Sequence, residues 1–144
     1  MPLLRAALSW NFVLATAICA SLLAQLIKVL LNLFIFHRFI AERMWGAGGM
    51  PSSHSSFTMA LSFSIGKYHG FDSPLFAIAL IFSFVTMYDA QGIRRAAGKQ
   101  AEILNMLILE HKIPDVDKLK ELLGHTPLEV AAGALLGILI GLWL

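Results

Sequence analysis

Two of the five histidines in the 144 residues stand where acid–base or nucleophilic chemistry has its supporting parts nearby. His125 and Glu129, in the run Gly124-His125-Thr126-Pro127-Leu128-Glu129, are four apart and share one side of a helix if His125 is already helical. A carboxylate that accepts a bond from one imidazole nitrogen fixes the tautomer and makes the other nitrogen the better nucleophile. The same run also serves as a helix start, with Thr126 or His125 as cap, Pro127 in the first turn and Glu129 near the positive end of the dipole. His54 lies in Gly48-Gly49-Met50-Pro51-Ser52-Ser53-His54-Ser55-Ser56, a glycine-rich turn leading into an apolar helix. Glycines let the backbone approach an anion closely, and N–H groups near Ser52 and Ser53 offer it donors. Helix capping alone accounts for the Ser and Pro of this run equally well.

Cations complete the set. Lys28 falls inside an apolar stretch, on one helical face with Ser21, Gln25 and Asn32. An intramembrane lysine costs at least ~2.5–3.5 kcal/mol near the bilayer centre, so this face turns away from lipid, toward an interior site or a helix interface that the lysine covers by snorkelling. Arg38 and Arg43 follow the same stretch. Asp89 ends another and leads into Asp89-Ala90-Gln91-Gly92-Ile93-Arg94-Arg95. Paired arginines at a membrane surface anchor lipid headgroups. In a helix, however, Gln91, Arg95, Gly98, Glu102 and Asn105 line one face, which implies a packed, hydrogen-bonded element. Two histidines, a carboxylate partner, several cations and a glycine-rich turn are the parts needed to bind a phosphate and transfer it through histidine.

The elements that must position these residues are set by composition. Hydrophobic residues make up 58% of the chain, charged residues 14%, and the mean hydropathy is +0.74. A soluble domain carries about 25% charged residues, so an ordinary cytosolic globule, a disordered tail and a nucleic-acid-binding module are all excluded. A net charge of +2 suggests no polyanionic partner. Cys19 is the single cysteine, so no internal disulfide forms. No linker or repeat divides the chain, which reads as one integral membrane domain over residues 1–144.

Apolar stretches run from Trp10 to Phe36, Ser53 to Tyr68, Pro74 to Tyr88 and Pro127 to Leu144. The first is long enough to cross ~30 Å of hydrocarbon with some tilt; the other three are short for independent spans. Long runs without regular alternation predict an all-α, polytopic membrane helix bundle, with about four spans plus one or two amphipathic or re-entrant helices. The amphipathic helix is expected over Ile93–His111, with apolar positions at Ile93, Ala97, Leu104, Leu107 and Ile108, and a shorter one over Val116–Leu123. Gly133, Gly137 and Gly141, four apart, permit close helix packing and make a homo-oligomer through that face an expectation. The connections with Arg38, Arg43 and the Asp89–Thr126 segment hold eight Lys/Arg, against two on the other side, Arg5 and Lys67. The positive-inside rule then puts those connections and the pocket on the cytoplasmic side and both termini opposite.

The runs GGMPSSHSS, DAQGIRRAAGKQAEILN and LGHTPLEVAAGALLG, in this order, resemble the three signature segments of the divergent branch of the type 2 phosphatidic acid phosphatase family, kin to acid phosphatases and vanadium-dependent haloperoxidases. The likeness spans about Lys28 to Gly137. It implies a lipid phosphate phosphatase acting on a phosphomonoester or pyrophosphate of the phosphatidylglycerophosphate, phosphatidate or polyprenyl pyrophosphate class. It assigns Lys28 with Arg38 or Arg43 to phosphate binding, His54 to general-acid work, and His125 with Glu129 to nucleophilic attack giving a phosphohistidine. The chain departs from the wider superfamily: Ser53 stands for a glycine, Glu129 for an aspartate, and Leu119 where an arginine belongs, a cation that Arg94 or Arg95 could supply. Asp89 has a supporting place beside them. No metal or cofactor is called for, since cations and amides can stabilise the phosphoryl charge, and vanadate would enter as a phosphate mimic. The partners implied are a lipid phosphate substrate and membrane lipids, not nucleic acid. The departures also fit a non-enzymatic membrane protein: a phosphate-binding relative, a small transporter or an assembly factor.

Overall fold

The computed structural model describes residues 11–36, 49–111, 117–121 and 123–144, and every regular element among them is helical. Helix α1 spans Phe12–Phe36, α2 Ser53–His69, α3 Pro74–Gln91, α4 Ile93–Glu110 and α5 Pro127–Trp143. The starts follow capping chemistry. Asn11 accepts from the Leu14 N–H at 3.0 Å, while Ser52, Ser73 and Thr126 cap α2, α3 and α5, the last two followed directly by proline.

Helix α2 is the centre of the bundle, packed against α1, α3 and α5. It is also the most polar of the four. Ser55, Ser56, Thr58, Ser62 and Ser64 are all buried in it. The hydroxyls of Ser55, Ser56, Thr58 and Ser62 bond to backbone or side-chain oxygens, while that of Ser64 has no partner among the described residues: Ser56 Oγ donates to Ala20 O at 3.1 Å, pinning α1, and Ser62 Oγ pairs with Ser83 Oγ at 2.8 Å, pinning α3. Such a helix needs no apolar surface, because its neighbours supply it. Those neighbours turn apolar residues outward: Leu22, Phe34, Ile78, Ile81, Val85 and Leu128 are exposed, as expected of a bundle whose solvent is lipid. By length and composition two stretches could cross a membrane, Phe12–Phe34 and the run Pro74–Glu110, while α5 is a shorter apolar helix. The all-helical bundle is as expected, but among the described residues only these two stretches are long and apolar enough to cross, against about four spans expected.

The glycine ladder decides how α2 and α5 approach. A Cβ on Gly133 would strike Ser52 O, one on Gly137 would strike Ser56 O, and one on Gly141 would lie 2.7 Å from Ala60 O. The helices run parallel with backbones nearly touching, each glycine one turn from the next. This corrects the expected homo-oligomer through Gly133, Gly137 and Gly141, since α2 of the same chain already fills that face. Gly137→Ala forces Met59 and Ala60, each 3.0 Å from the added carbon, apart from α5. The expected cost is about 1–3 kcal/mol. A lowered unfolding midpoint in detergent, with Leu135→Ala on the exposed face as the comparison, is the measurement.

Helix α4 buries Gly98, Ala101 and Asn105 and leaves Ile93, Leu104 and Leu107 outward. The polar stripe through Gly98 and Asn105 is thus the packed face. What it packs corrects the second expected helix. Residues 117–121 are irregular, laid along α4 because Asn105 Nδ2 donates to Leu119 O and Glu121 Oε1, both at 2.8 Å, and Asn105 Oδ1 accepts from the Leu119 N–H at 2.9 Å. An amide that replaces both backbone bonds of one residue competes directly with helix formation there.

Candidate active site

The segment held along α4 delivers His125. Gly124 adopts a φ of +82° against the backbone of Arg95, where a Cβ would collide. The His125 N–H then donates to Ala90 O at 2.9 Å, tying the histidine to the end of α3. Its imidazole is buried, and Nδ1 lies 3.2 Å from Glu129 Oε2. A carboxylate oxygen only accepts, so Nδ1 carries the proton and Nε2 keeps its lone pair.

The pairing does not arise as the four-residue spacing implies. His125 lies outside the helix, ahead of the N-cap Thr126. Glu129 reaches it by folding back: the Thr126 N–H donates to Glu129 Oε2 at 2.9 Å while Thr126 Oγ1 accepts from the Glu129 N–H at 3.3 Å. That reciprocal pair is a capping box, and it aims the carboxylate at the residue before the cap.

His54, in the first turn of α2, faces His125 with ring centroids 6.5 Å apart. The two histidines line one pocket with Thr86, Asp89, Ala90 and Arg94. Arg94 Nε bonds Asp89 Oδ2 at 2.8 Å, which leaves its terminal nitrogens for an anion. Arg95 is exposed and does not line the pocket. Lys28 is only 2% exposed although charged, its stem packed on Gly49, where the φ of +86° brings the turn against α1. Its charge is felt at His54, His125 and Glu129, so it belongs to the same end of the bundle. Helices α2 and α5 both begin here, and the positive ends of two helix dipoles add to Lys28 and Arg94. Positive charge therefore gathers at this end of the bundle.

Burial pushes the His125 imidazole below its ordinary range; the hydrogen bond and charge of Glu129 act against this, and Lys28 and His54 act with it. A neutral imidazole with Nε2 free is therefore the form present at neutral pH. Among the described residues no three His, Cys, Asp or Glu side chains stand together as metal ligands.

Ser52 departs from its expected part. Its N–H donates to Glu129 O at 3.0 Å and its hydroxyl accepts from Ser55, so it stitches α2 to α5 and its backbone N–H is committed within the bundle. Ser53 is the first helical residue, and its N–H has no acceptor within the helix. Arg38 and Arg43 lie outside the described residues. Sequence reasoning missed Thr86 and Ala90. The available signal was helical spacing, since Thr86 stands one turn before Asp89 and Ala90 one turn after Thr86.

These features define a membrane helix bundle with a histidine–carboxylate pair and a cationic pocket at one end. The chain belongs to the divergent PAP2 family, whose pattern matches residues 9–140. It is 41% identical over 146 residues, covering 92% of each chain, to the uncharacterized membrane protein YuiD of Bacillus subtilis (strain 168). No solved structure matches it.

Proposed function

We propose that this protein is a membrane phosphoric ester hydrolase that cleaves a lipid phosphomonoester or pyrophosphate through a phosphohistidine. The observation that carries the reading is the His125 Nδ1–Glu129 Oε2 pair opening on a pocket shared with His54 and Arg94. Membership of the divergent PAP2 family supports the relation to phosphatases.

Lys28 and Arg94 neutralise the phosphoryl oxygens, with the Ser53 N–H as a further donor. His125 Nε2 attacks phosphorus, forming a P–N bond as the P–O bond to the leaving group breaks. Glu129 stabilises the charge that develops on the imidazole. His54 gives its proton to the departing oxygen, then takes one from water as that water attacks phosphorus and the P–N bond breaks. Free phosphate and both histidines in their starting forms result. In this reading α1, α2, α3 and α5 cross the membrane and α4 lies at its surface, and the eight-to-two Lys/Arg asymmetry supports a pocket on the cytoplasmic side.

The test is phosphate release from phosphatidylglycerophosphate, phosphatidate and polyprenyl pyrophosphate in detergent. Hydrolysis of at least one is expected. Vanadate should inhibit it, because its trigonal-bipyramidal form resembles the in-line transition state and binds more tightly than substrate. No release from any of the three, with the protein folded, would favour a phosphate-binding relative instead.

A further inference from the structure

We infer that Thr126 is a positioning residue for His125 and acts through Glu129, because the cap of α5 and the histidine–carboxylate pair share one oxygen atom. Glu129 Oε2 accepts both from the Thr126 N–H at 2.9 Å and from His125 Nδ1 at 3.2 Å. The Thr126 hydroxyl accepts from the Glu129 N–H at 3.3 Å and so holds the cap residue at φ −73°, ψ 156°. That conformation alone aims the Thr126 N–H at the carboxylate.

Four consequences of chain geometry meet here. Thr126 is the N-cap, so Glu129 is the third helical residue, whose side chain reaches back to the cap N–H in a capping box. His125 precedes the cap and has its own N–H tied to Ala90 O, so its ring has little freedom to follow a carboxylate that moves. Glu129 O is tied to the Ser52 N–H, so the backbone of Glu129 cannot move to compensate. A shorter carboxylate at position 129 would lack the length to serve cap and imidazole together, which is a physical reason for glutamate in this chain. Thr126 itself is exposed and is not among the residues that line the pocket. Its influence runs only through Glu129.

The kinetic arm rests on the phosphatase reading, but the spectroscopic arm does not. Full-length protein with 15N-labelled histidine is compared in detergent as wild type, Thr126→Val, Thr126→Ser and Glu129→Gln, the His125 signal being assigned by its loss in His125→Ala. The wild type and Thr126→Ser should show the Nδ1-protonated tautomer. Thr126→Val, which keeps the shape without the acceptor, should show a mixture of tautomers, as Glu129→Gln does. Turnover should fall about 10- to 100-fold in Thr126→Val and recover in Thr126→Ser. Lys28 and His54 bear on His125, and Asp89 and Arg94 line the same pocket. Glu129 is the group that supports its proton, so the acid limb of kcat/KM should move to lower pH in Thr126→Val.

A Thr126→Val protein that is less stable yet keeps the wild-type tautomer would show a helix cap and nothing more, and would overturn the inference. Should Thr126→Val fail to fold, Thr126→Gly carries the same comparison, since glycine is a tolerated cap without a side-chain acceptor. If no variant hydrolyses any substrate while the tautomer still shifts, the positioning stands and the phosphatase reading falls.

Discussion

His125→Ala should abolish turnover, lowering kcat by about 10⁴-fold or more, and no phosphohistidine should be trapped from it by rapid quench with radiolabelled substrate. The effect is this large because the buried imidazole is oriented by a carboxylate: Nδ1 sits at 3.2 Å from Glu129 Oε2, leaving Nε2 for phosphorus. Label accumulating on the alanine protein would show that another residue is the nucleophile. The wild-type pH profile carries an independent sign. Burial holds the His125 imidazole below its ordinary value of about 6.5, so the neutral nucleophile persists below that pH. Activity should therefore be retained as pH falls through 6.5 and lost only when the lowered folded value is reached. An acid limb at or above pH 6.5 would contradict the burial seen at this site.

His54→Ala should divide substrates by their leaving groups. An alkyl phosphate needs a proton on the departing oxygen, so the loss should be roughly 10²–10⁴-fold. A nitrophenyl phosphate leaves unprotonated and should keep most of its first-step rate, with label accumulating on His125 because the water of the second step has lost its base. The expectation comes from geometry: His54 faces His125 at 6.5 Å between ring centroids, and both imidazoles border the same pocket. Equal loss toward both esters would mean that His54 binds or orients and does not move a proton.

Much of this arrangement was legible along the chain. The caps of α2, α3 and α5 stand as Ser52, Ser73-Pro74 and Thr126-Pro127, because capping is a local interaction within three residues. The face holding Lys28 was readable from helical spacing, since a buried charge must point away from lipid. The convergence of His54, Asp89 and His125 followed from helices running back and forth, which brings alternate ends to one side.

Other parts needed the fold. The irregular 117–121 segment was hidden because the competing partner, Asn105, is more than a dozen residues away and no local rule weighs such a bond. The glycine ladder announced close packing but not its partner, which the carbonyls of Ser52, Ser56 and Ala60 supplied from within the chain. The choice of Arg94 over Arg95 depended on rotation of α4 about its axis, set by Gly98 against the backbone of Glu121 and Leu123.

What the sequence determined by itself is therefore what local and periodic forces govern: a helical, lipid-solvated chain, its helix starts, and the two histidine segments with their cations. What only the tertiary structure decided is how His125 meets Glu129. Spacing pointed to a shared helical face, whereas the histidine stands ahead of the helix and the carboxylate folds back to it. A capping box, the tie of His125 N–H to Ala90 O and the tie of Glu129 O to Ser52 N–H fix that geometry together. The last two bonds come from elements far away in sequence, and no pattern within a six-residue run contains them.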